Sequence, residues 1–394
     1  MQYRNFGRLD WKVSALGFGC MRLPTVNGDP ARIDEPEATR MLHYAIDHGV
    51  NYIDTAYPYH GGNSERLVGR ALRGGYRDKV RLATKLPCWQ VATAADFDRF
   101  FNEQLERLQT ERIDFYLLHS LSERTWHKVR DLGVLEWLEK RLADGRVGHV
   151  GFSFHDKYPV FQEIIDSFDR WTFCQIQYNY LDVQGQAGTK GLKYAAAKGL
   201  AVVVMEPLLG GRLANPPAQV RALWESAAVQ RTPADWALQW LWSQPEVSVV
   251  LSGMSTMKQV EENVASADAS RVGLLTPEEL ELIARVRAQY QALSPIPCTK
   301  CEYCQPCPNG VKIPQLFEMY NSAIVSNQMD QARRQYARVP AEERADSCTQ
   351  CRQCEDVCPQ HIEVSDWLMR VHEALSGSEG SHTPPSPRPV QEGR

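Results

Sequence analysis

Between residues 13 and 290, short apolar runs rich in β-branched residues alternate with stretches whose apolar positions recur at helical spacing. Eight such runs read as strands: Val13 to Cys20, Val50 to Asp54, Val80 to Lys85, Ile113 to His119, Val147 to Ser153, Phe173 to Tyr178, Leu200 to Glu206 and Val247 to Gly253. Their near-continuous hydrophobicity suits strands buried on both faces. The segments between them carry helix punctuation. Pro36 stands at a first turn, Met41, Leu42, Ala45 and Ile46 share one face, and Gly49 follows the end. Leu132, Leu135, Leu138 and Leu142 lead in the same way to Gly145. Eight strand–helix alternations predict an α/β fold, a closed (β/α)8 or TIM barrel. An open doubly wound sheet is the alternative, although no Gly-x-Gly-x-x-Gly follows the first strand.

Near residue 291 the pattern changes, with Pro295 and Pro297 ahead of a cysteine-rich region. Residues 314 to 346 are rich in Gln, Glu, Arg, Ala and Met, which predicts helix and a smaller, mostly helical second domain. From Gly377 to Arg394 almost no apolar residue occurs, which predicts a disordered tail. The expected division is therefore 1–290, 291–376 and 377–394. A net charge of −4 from 44 basic and 48 acidic residues gives no reason to expect nucleic acid or a membrane surface as partner. With no long apolar window and no apolar run in Met1 to Arg8, the default expectation is a cytoplasmic protein.

At the carboxyl ends of barrel strands, polar residues are favoured as functional. Asp54 ends the second strand in Ile53-Asp54-Thr55-Ala56, Tyr59 follows in the loop, Lys85 ends the third strand and His119 the fourth. Singly, each has an ordinary structural explanation. Together they supply a proton donor and a means of polarising a carbonyl. With Ser64-Glu65 opening the next helix, this pattern resembles the aldo-keto reductases over residues 1 to 290. The resemblance implies Tyr59 as general acid, Lys85 lowering its pKa, Asp54 holding Lys85, and His119 orienting the substrate carbonyl.

The same resemblance implies NADPH or NADH as cofactor, with Ser153 and Gln175 at the nicotinamide carboxamide. Several positions depart from the family pattern. Phe154 stands where an asparagine is usual, Met205 replaces the aromatic platform under the nicotinamide, and Gln259 replaces an arginine four positions before Asn263. Gly210, Gly211, Gly253 and Asn263 fall in or after the loops that follow strands seven and eight, where phosphates commonly sit. Arg212 and Lys258 are candidate anion-binding residues or solvated surface charges.

Eight of the eleven cysteines lie between Cys298 and Cys358. Without an export signal, such crowding reads as metal ligands. The motifs are Cys298-x2-Cys301-x2-Cys304-x2-Cys307-Pro308 and Cys348-x2-Cys351-x2-Cys354-x3-Cys358-Pro359. The second matches the bacterial ferredoxin run, in which the cysteine before proline ligates the other cluster. By that crossing, one 4Fe-4S cluster takes Cys298, Cys301, Cys304 and Cys358, and another takes Cys348, Cys351, Cys354 and Cys307. The shorter spacing before Cys307 leaves open one cluster instead of two, and paired Cys-x2-Cys units also suit zinc. The helical stretch between the motifs resembles the α-helical ferredoxins, and the whole chain resembles aldo-keto reductase-like proteins with an iron-sulfur tail.

The leading expectation is an oxidoreductase that reduces a small carbonyl substrate with NAD(P)H. Its clusters either link to an external carrier, of ferredoxin or flavodoxin type, or stabilise the tail. Two alternatives stand beside it: an electron-transfer protein without a free carbonyl substrate, and a redox-sensing nucleotide-binding subunit.

Overall fold

A strand buried on both faces needs cover on each side, which a closed barrel supplies with helices outside and the side chains of the other strands inside. The computed structural model describes residues 1–293, 295–326 and 328–377. Its strands are β1 (Tyr3–Phe6), β2 (Leu9–Ser14), β3 (Leu16–Gly19), β4 (Tyr52–Asp54), β5 (Arg81–Leu86), β6 (Ile113–Leu121), β7 (Val147–Phe154), β8 (Trp171–Gln177), β9 (Ala201–Met205) and β10 (Val247–Gly253). Strands β3 to β10 pair in parallel in chain order, and β10 pairs with β3 to close an eight-stranded barrel. The helix Glu35–Asp47 shows the local logic. Asp34 accepts the Glu37 N–H at 3.3 Å, Pro36 sits in the first turn, and Met41, Leu42, Ala45 and Ile46 are buried against the barrel.

The expected single strand from Val13 to Cys20 is two elements. Val13 and Ser14 end β2, which forms an antiparallel hairpin with β1, and the barrel strand begins at Leu16. The exposed–buried alternation of β2 is that of a one-sided strand, and it merges into the fully buried β3 with only Ala15 between. The hairpin serves as a stopper. Phe6 is fully buried among Tyr52, Phe115 and Phe173, with ring centroids 6.0, 4.7 and 5.5 Å away. These rings lie near the amino ends of their strands, so that end of the barrel is filled and the carboxyl end is left for chemistry. Gly7 makes the turn at φ +55, where a Cβ would lie 2.6 Å from the Gly199 carbonyl oxygen.

Residue contacts divide the chain into Met1–Ala214 with Arg231–Pro277, and Asn215–Gln230 with the chain from Glu278 on. Within the second unit the helices Ile313–Ser326, Met329–Tyr336 and Val364–Ser376 surround a small core that includes Leu316, Phe317, Tyr336, Leu368 and Val371. No strand occurs there among the described residues. The helix expected to run to 346 stops at Tyr336, followed by Pro340, which has no N–H to give, and two single turns. Of the expected tail, only Gly377, the cap of the last helix, lies within the described residues. Among those residues no helix is long and apolar enough to cross a membrane.

Candidate functional site

At the carboxyl end of the barrel, β4 and β5 bring Asp54 and Lys85 side by side, both nearly fully buried. The Lys85 ammonium donates to Asp54 Oδ1 at 2.6 Å, to the Thr55 carbonyl at 2.8 Å and to the Tyr59 hydroxyl at 3.3 Å. An ammonium has three protons, and these acceptors take all of them. The Tyr59 oxygen therefore accepts, and its own proton is free to be given elsewhere. Tyr59 is carried by a tight loop in which His60, Gly61 and Gly62 all adopt positive φ. The His119 ring stands edge-on to Tyr59, with centroids 6.0 Å apart, and Trp89 also packs against His119 at 5.0 Å.

The electrostatics differ from expectation at one point. Tyr59 is held well above the ordinary phenol value, first by burial and then by the nearby acidic groups, Asp54 foremost. The expected lowering by Lys85 is not the net result, because burial, the largest cause, raises the group and Asp54 adds to it. Burial likewise lifts Asp54 against the pull of Lys85. His119 is depressed well below the ordinary imidazole value by burial, with Lys85 and His155 adding to the effect. A neutral imidazole results, and its buried Nδ1 has no hydrogen-bond partner.

The expected cofactor residues fall into two groups. Gln175 reaches Asp54 Oδ2 at 3.4 Å through Nε2, while its buried Oε1 has no partner, an acceptor of the kind a carboxamide N–H fits. The Ser153 hydroxyl accepts the Ser120 N–H at 2.7 Å, which leaves its own proton to donate. Met205 is half-buried at the end of β9. Gly210 and Gly211 turn at φ +63 and +92, and the Gly210 N–H points at the carboxylate of Glu206. The other group is engaged within the protein. Asn263 donates to Ser252 Oγ at 3.0 Å, and Gln259 folds back to accept the Ser255 N–H at 2.7 Å. Lys258 is exposed beside Glu262, and Gly253 lies under the Arg22 side chain, so that a Cβ there would meet Arg22 Cγ at 2.8 Å.

Two residues of this face escaped sequence reasoning. Glu206 has a positive φ of 55, a buried Oε2 without a partner, and a carboxyl raised by burial against the pull of Arg22. Its position next to Met205 is the only sequence signal it gives. Arg22, two residues past Cys20, accepts the Ser255 hydroxyl through its carbonyl at 2.7 Å.

The two cysteine loops wind alike. Lys300 and Glu302 have φ +57 and +64, and the corresponding Gln350 and Arg352 have +56 and +59. Three residues after Cys307 and Cys358, Gly310 and His361 both turn to positive φ, and each donates its N–H back to the cysteine carbonyl at 2.9 and 3.0 Å. The helices that follow start six residues after each of these cysteines. Left-handed backbone at non-glycine residues is costly, and its recurrence at matched positions marks a built loop. Cys298, Cys301, Cys304 and Cys358 line one cavity floored by Ile313 and Phe317. Cys354 lies within electrostatic reach of Glu355, Cys348 and Cys307. Four cysteines lining one largely apolar cavity have the donor chemistry a 4Fe-4S cube takes. Without metal, burial pushes Cys304 and Cys354 up to about 12.

Residues 15–287 match the Aldo/keto reductase family, and residues 297–363 match a 4Fe-4S dicluster domain. The chain is 29% identical over 288 residues to L-galactose dehydrogenase of Arabidopsis thaliana, covering 68% of this chain and 88% of that protein. It is 27% identical over 293 residues to the probable aldo-keto reductase 1 of Glycine max, covering 66% and 82%. Among solved structures, the holo form of aldo-keto reductase AKR11C1 from Bacillus halodurans matches with TM-score 0.61 and 29% identity over 73% of this chain and 96% of that one. A Klebsiella pneumoniae aldo/keto reductase, solved in complex with NADP and acetate, matches with TM-score 0.59 and 26% identity over 72% and 95%. The barrel, its strand-end groups and these matches agree: the chain belongs to the aldo/keto reductase family, as an oxidoreductase with a C-terminal 4Fe-4S domain.

Proposed function

We propose that the barrel, residues 1–290, reduces a small carbonyl compound with NADPH or NADH, and that Tyr59 gives the proton. The observation that carries this reading is the Lys85 ammonium shared among Asp54, Thr55 and Tyr59. When bound, the reduced nicotinamide supplies hydride, with Gln175 and Ser153 at its carboxamide. Neutral His119 donates a hydrogen bond to the substrate oxygen. As negative charge develops on that oxygen, Tyr59 releases its proton to it, and Lys85 stabilises the phenolate left behind. The high resting value of Tyr59 keeps the proton in place until that moment. Trp89, 41% exposed beside His119, gives the substrate an apolar wall.

Residues 291–376 are proposed to hold two 4Fe-4S clusters with the crossed ligand sets, a reading supported by the matched winding of both loops. When bound, such clusters supply single-electron transfer, whereas hydride moves electrons in pairs. A second reading, exchange with a ferredoxin- or flavodoxin-like carrier, draws support from the exposure of one cysteine per loop, Cys301 and Cys351.

Tyr59→Phe separates the readings. With 4-nitrobenzaldehyde and NADPH or NADH, carbonyl reduction should fall by about 10²- to 10⁴-fold. Bleaching of cluster absorbance by NADPH or NADH under anaerobic conditions should be unchanged if the clusters carry electrons independently of Tyr59. A variant that reduces the aldehyde at the parent rate removes Tyr59 from the reaction.

A further inference from the structure

The first turn of the helix Asn63–Ala71 presents Ser64 and Glu65, both fully buried. Neither touches a reacting group in the proposed mechanism, and a buried carboxylate is expensive unless the surroundings require it. Glu65 Oε1 accepts from Thr84 Oγ1 at 2.6 Å and from Gln104 Nε2 at 2.8 Å. Gln104 Nε2 lies 3.0 Å from the Lys85 carbonyl, and its Oε1 accepts the Tyr116 hydroxyl at 2.7 Å. Glu65 Oε2 accepts from Arg107 Nη1 at 3.3 Å, and the same nitrogen donates to the Tyr57 carbonyl at 3.3 Å. The Arg107 guanidinium also lies 3.9 Å over the Tyr57 ring, two residues before Tyr59. Ser64, next to Glu65, bonds Thr55 Oγ1 at 2.9 Å and donates to the Cys20 carbonyl at 3.1 Å.

These bonds converge on three separate pieces of backbone: the end of β5 that bears Lys85, the loop that bears Tyr59, and Thr55, whose carbonyl takes a proton of Lys85. We infer that Glu65 is a positioning residue for the reaction, setting the 3.3 Å contact between the Lys85 ammonium and the Tyr59 hydroxyl through Gln104 on one side and Arg107 on the other. A contact at 3.3 Å is near the outer limit for such a bond. A few tenths of an ångström decide whether the ammonium stabilises the phenolate, so the anchors matter more here than at the tight Asp54 contact. Burial raises the Glu65 carboxyl against the pull of Thr84 and Gln104 and then of Arg107.

The inference rests on the proposed role of Tyr59, and its test has a structural arm that does not. Glu65→Gln keeps the size of the side chain but turns a nitrogen toward Arg107 or toward the Thr84–Gln104 pair. In crystals of the full chain, the Lys85 Nζ to Tyr59 hydroxyl distance should open beyond 3.5 Å while the barrel strands superimpose. With 4-nitrobenzaldehyde, kcat should fall by about 10-fold or more with NADPH or NADH affinity within about threefold of the parent, and the alkaline limb of the kcat–pH profile should move upward. Glu65→Asp keeps the charge and should recover part of kcat. Unchanged distance and unchanged kcat in Glu65→Gln overturn the inference. So does a parallel loss of kcat, cofactor affinity and thermal stability in both variants, which marks Glu65 as structural. If the parent protein reduces no carbonyl, the reading of Tyr59 fails, and the crystallographic distance alone decides the positioning claim.

Discussion

The barrel site and the cysteine loops hold their functional groups by opposite means. In the barrel each group is fixed by other protein atoms: Lys85 by Asp54 and Thr55, the Lys85 backbone by Gln104, Gln175 by Asp54. The distances are set before any cofactor enters, which is the condition for electrostatic preorganisation. In the cysteine domain Cys298, Cys301, Cys304 and Cys358 line a common cavity, and both cysteine loops contain left-handed turns. The Cys301 and Cys304 thiols are shifted upward, first by burial and then by neighbouring cysteines, and mutual repulsion of thiolates is tolerable only with positive charge between them. One site is complete as protein; the other is completed by what it binds.

The largest expected effect follows directly. Removing iron from anaerobically purified protein with a chelator should unfold the cysteine domain, since structural metal sites of other kinds contribute about 10 kcal/mol or more to small domains. Far-UV circular dichroism should lose the helical signal of that unit while NADPH or NADH binding to the barrel persists. Replacing Cys304 and Cys358 together by Ser should lower iron from about eight to about four atoms per chain, because both belong to one crossed set. Retention of all iron, or zinc in its place, breaks the ligand assignment. Reconstitution should also weaken as pH falls, because Cys304 and Cys354, near 12 without metal, must release protons to bind it.

A smaller effect is expected at Lys85. Lys85→Met leaves Asp54 buried with only the Gln175 amide at 3.4 Å, and an uncompensated buried charge of this kind destabilises by about 3–5 kcal/mol. The variant also has a signature in pH. Burial lifts the folded-state Asp54 above its unfolded value near 3.9, and without Lys85 nothing cationic opposes that lift. Above that value the folded state binds the extra proton, so stability should be greatest at low pH and decline as pH rises through the raised value. The thermal midpoint of Lys85→Met followed from pH 5 to 8 should show this decline, and adding Asp54→Leu should abolish it. Iron content should stay at the parent value in both variants. A pH-independent midpoint in Lys85→Met would mean that another group neutralises Asp54.

The contrast between the two regions also explains what was legible in the chain. The eight barrel strands stood out because strands covered on both faces carry uninterrupted apolar runs. Leu9–Ser14 did not, because its alternation is short and runs into β3 almost without a break. The candidate cysteine ligands are local in sequence, so their spacing displays them, and the cysteine before proline marks the expected crossing between the two loops. In the barrel the strand-end groups were visible by position, but the bonds that set them were not. Gln175 meets Asp54 across 121 residues, and Glu65 meets Gln104 across 39. No periodicity encodes such a pair. The sign of the Tyr59 shift failed for a related reason: the motif shows a lysine near a tyrosine but not the burial that outweighs it.

The smallest expected effect sharpens the contrast in acid. His155, which lies within electrostatic reach of His119, has Nδ1 3.2 Å from Gln186 Oε1, and burial lowers its imidazole to about 4. An unfolded histidine titrates near 6.5. Between those two values the unfolded chain takes up a proton that the folded barrel refuses, so stability falls as pH drops from about 6.5 toward about 4. The full shift corresponds to somewhat more than 3 kcal/mol, and partial exposure of the ring reduces the expected share to about 2 kcal/mol. His155→Gln keeps an acceptor or donor for Gln186 and removes the titration. Its thermal midpoint should therefore fall less than that of the parent between pH 6.5 and 4.5, with the two nearly equal above pH 7. Part of the slope should remain, because His119 is depressed by the same burial. The variant should leave the pH dependence of iron reconstitution as it was, since that dependence belongs to the thiols. A barrel transition with the same slope in both proteins would assign the acid sensitivity to His119 or the carboxylates instead.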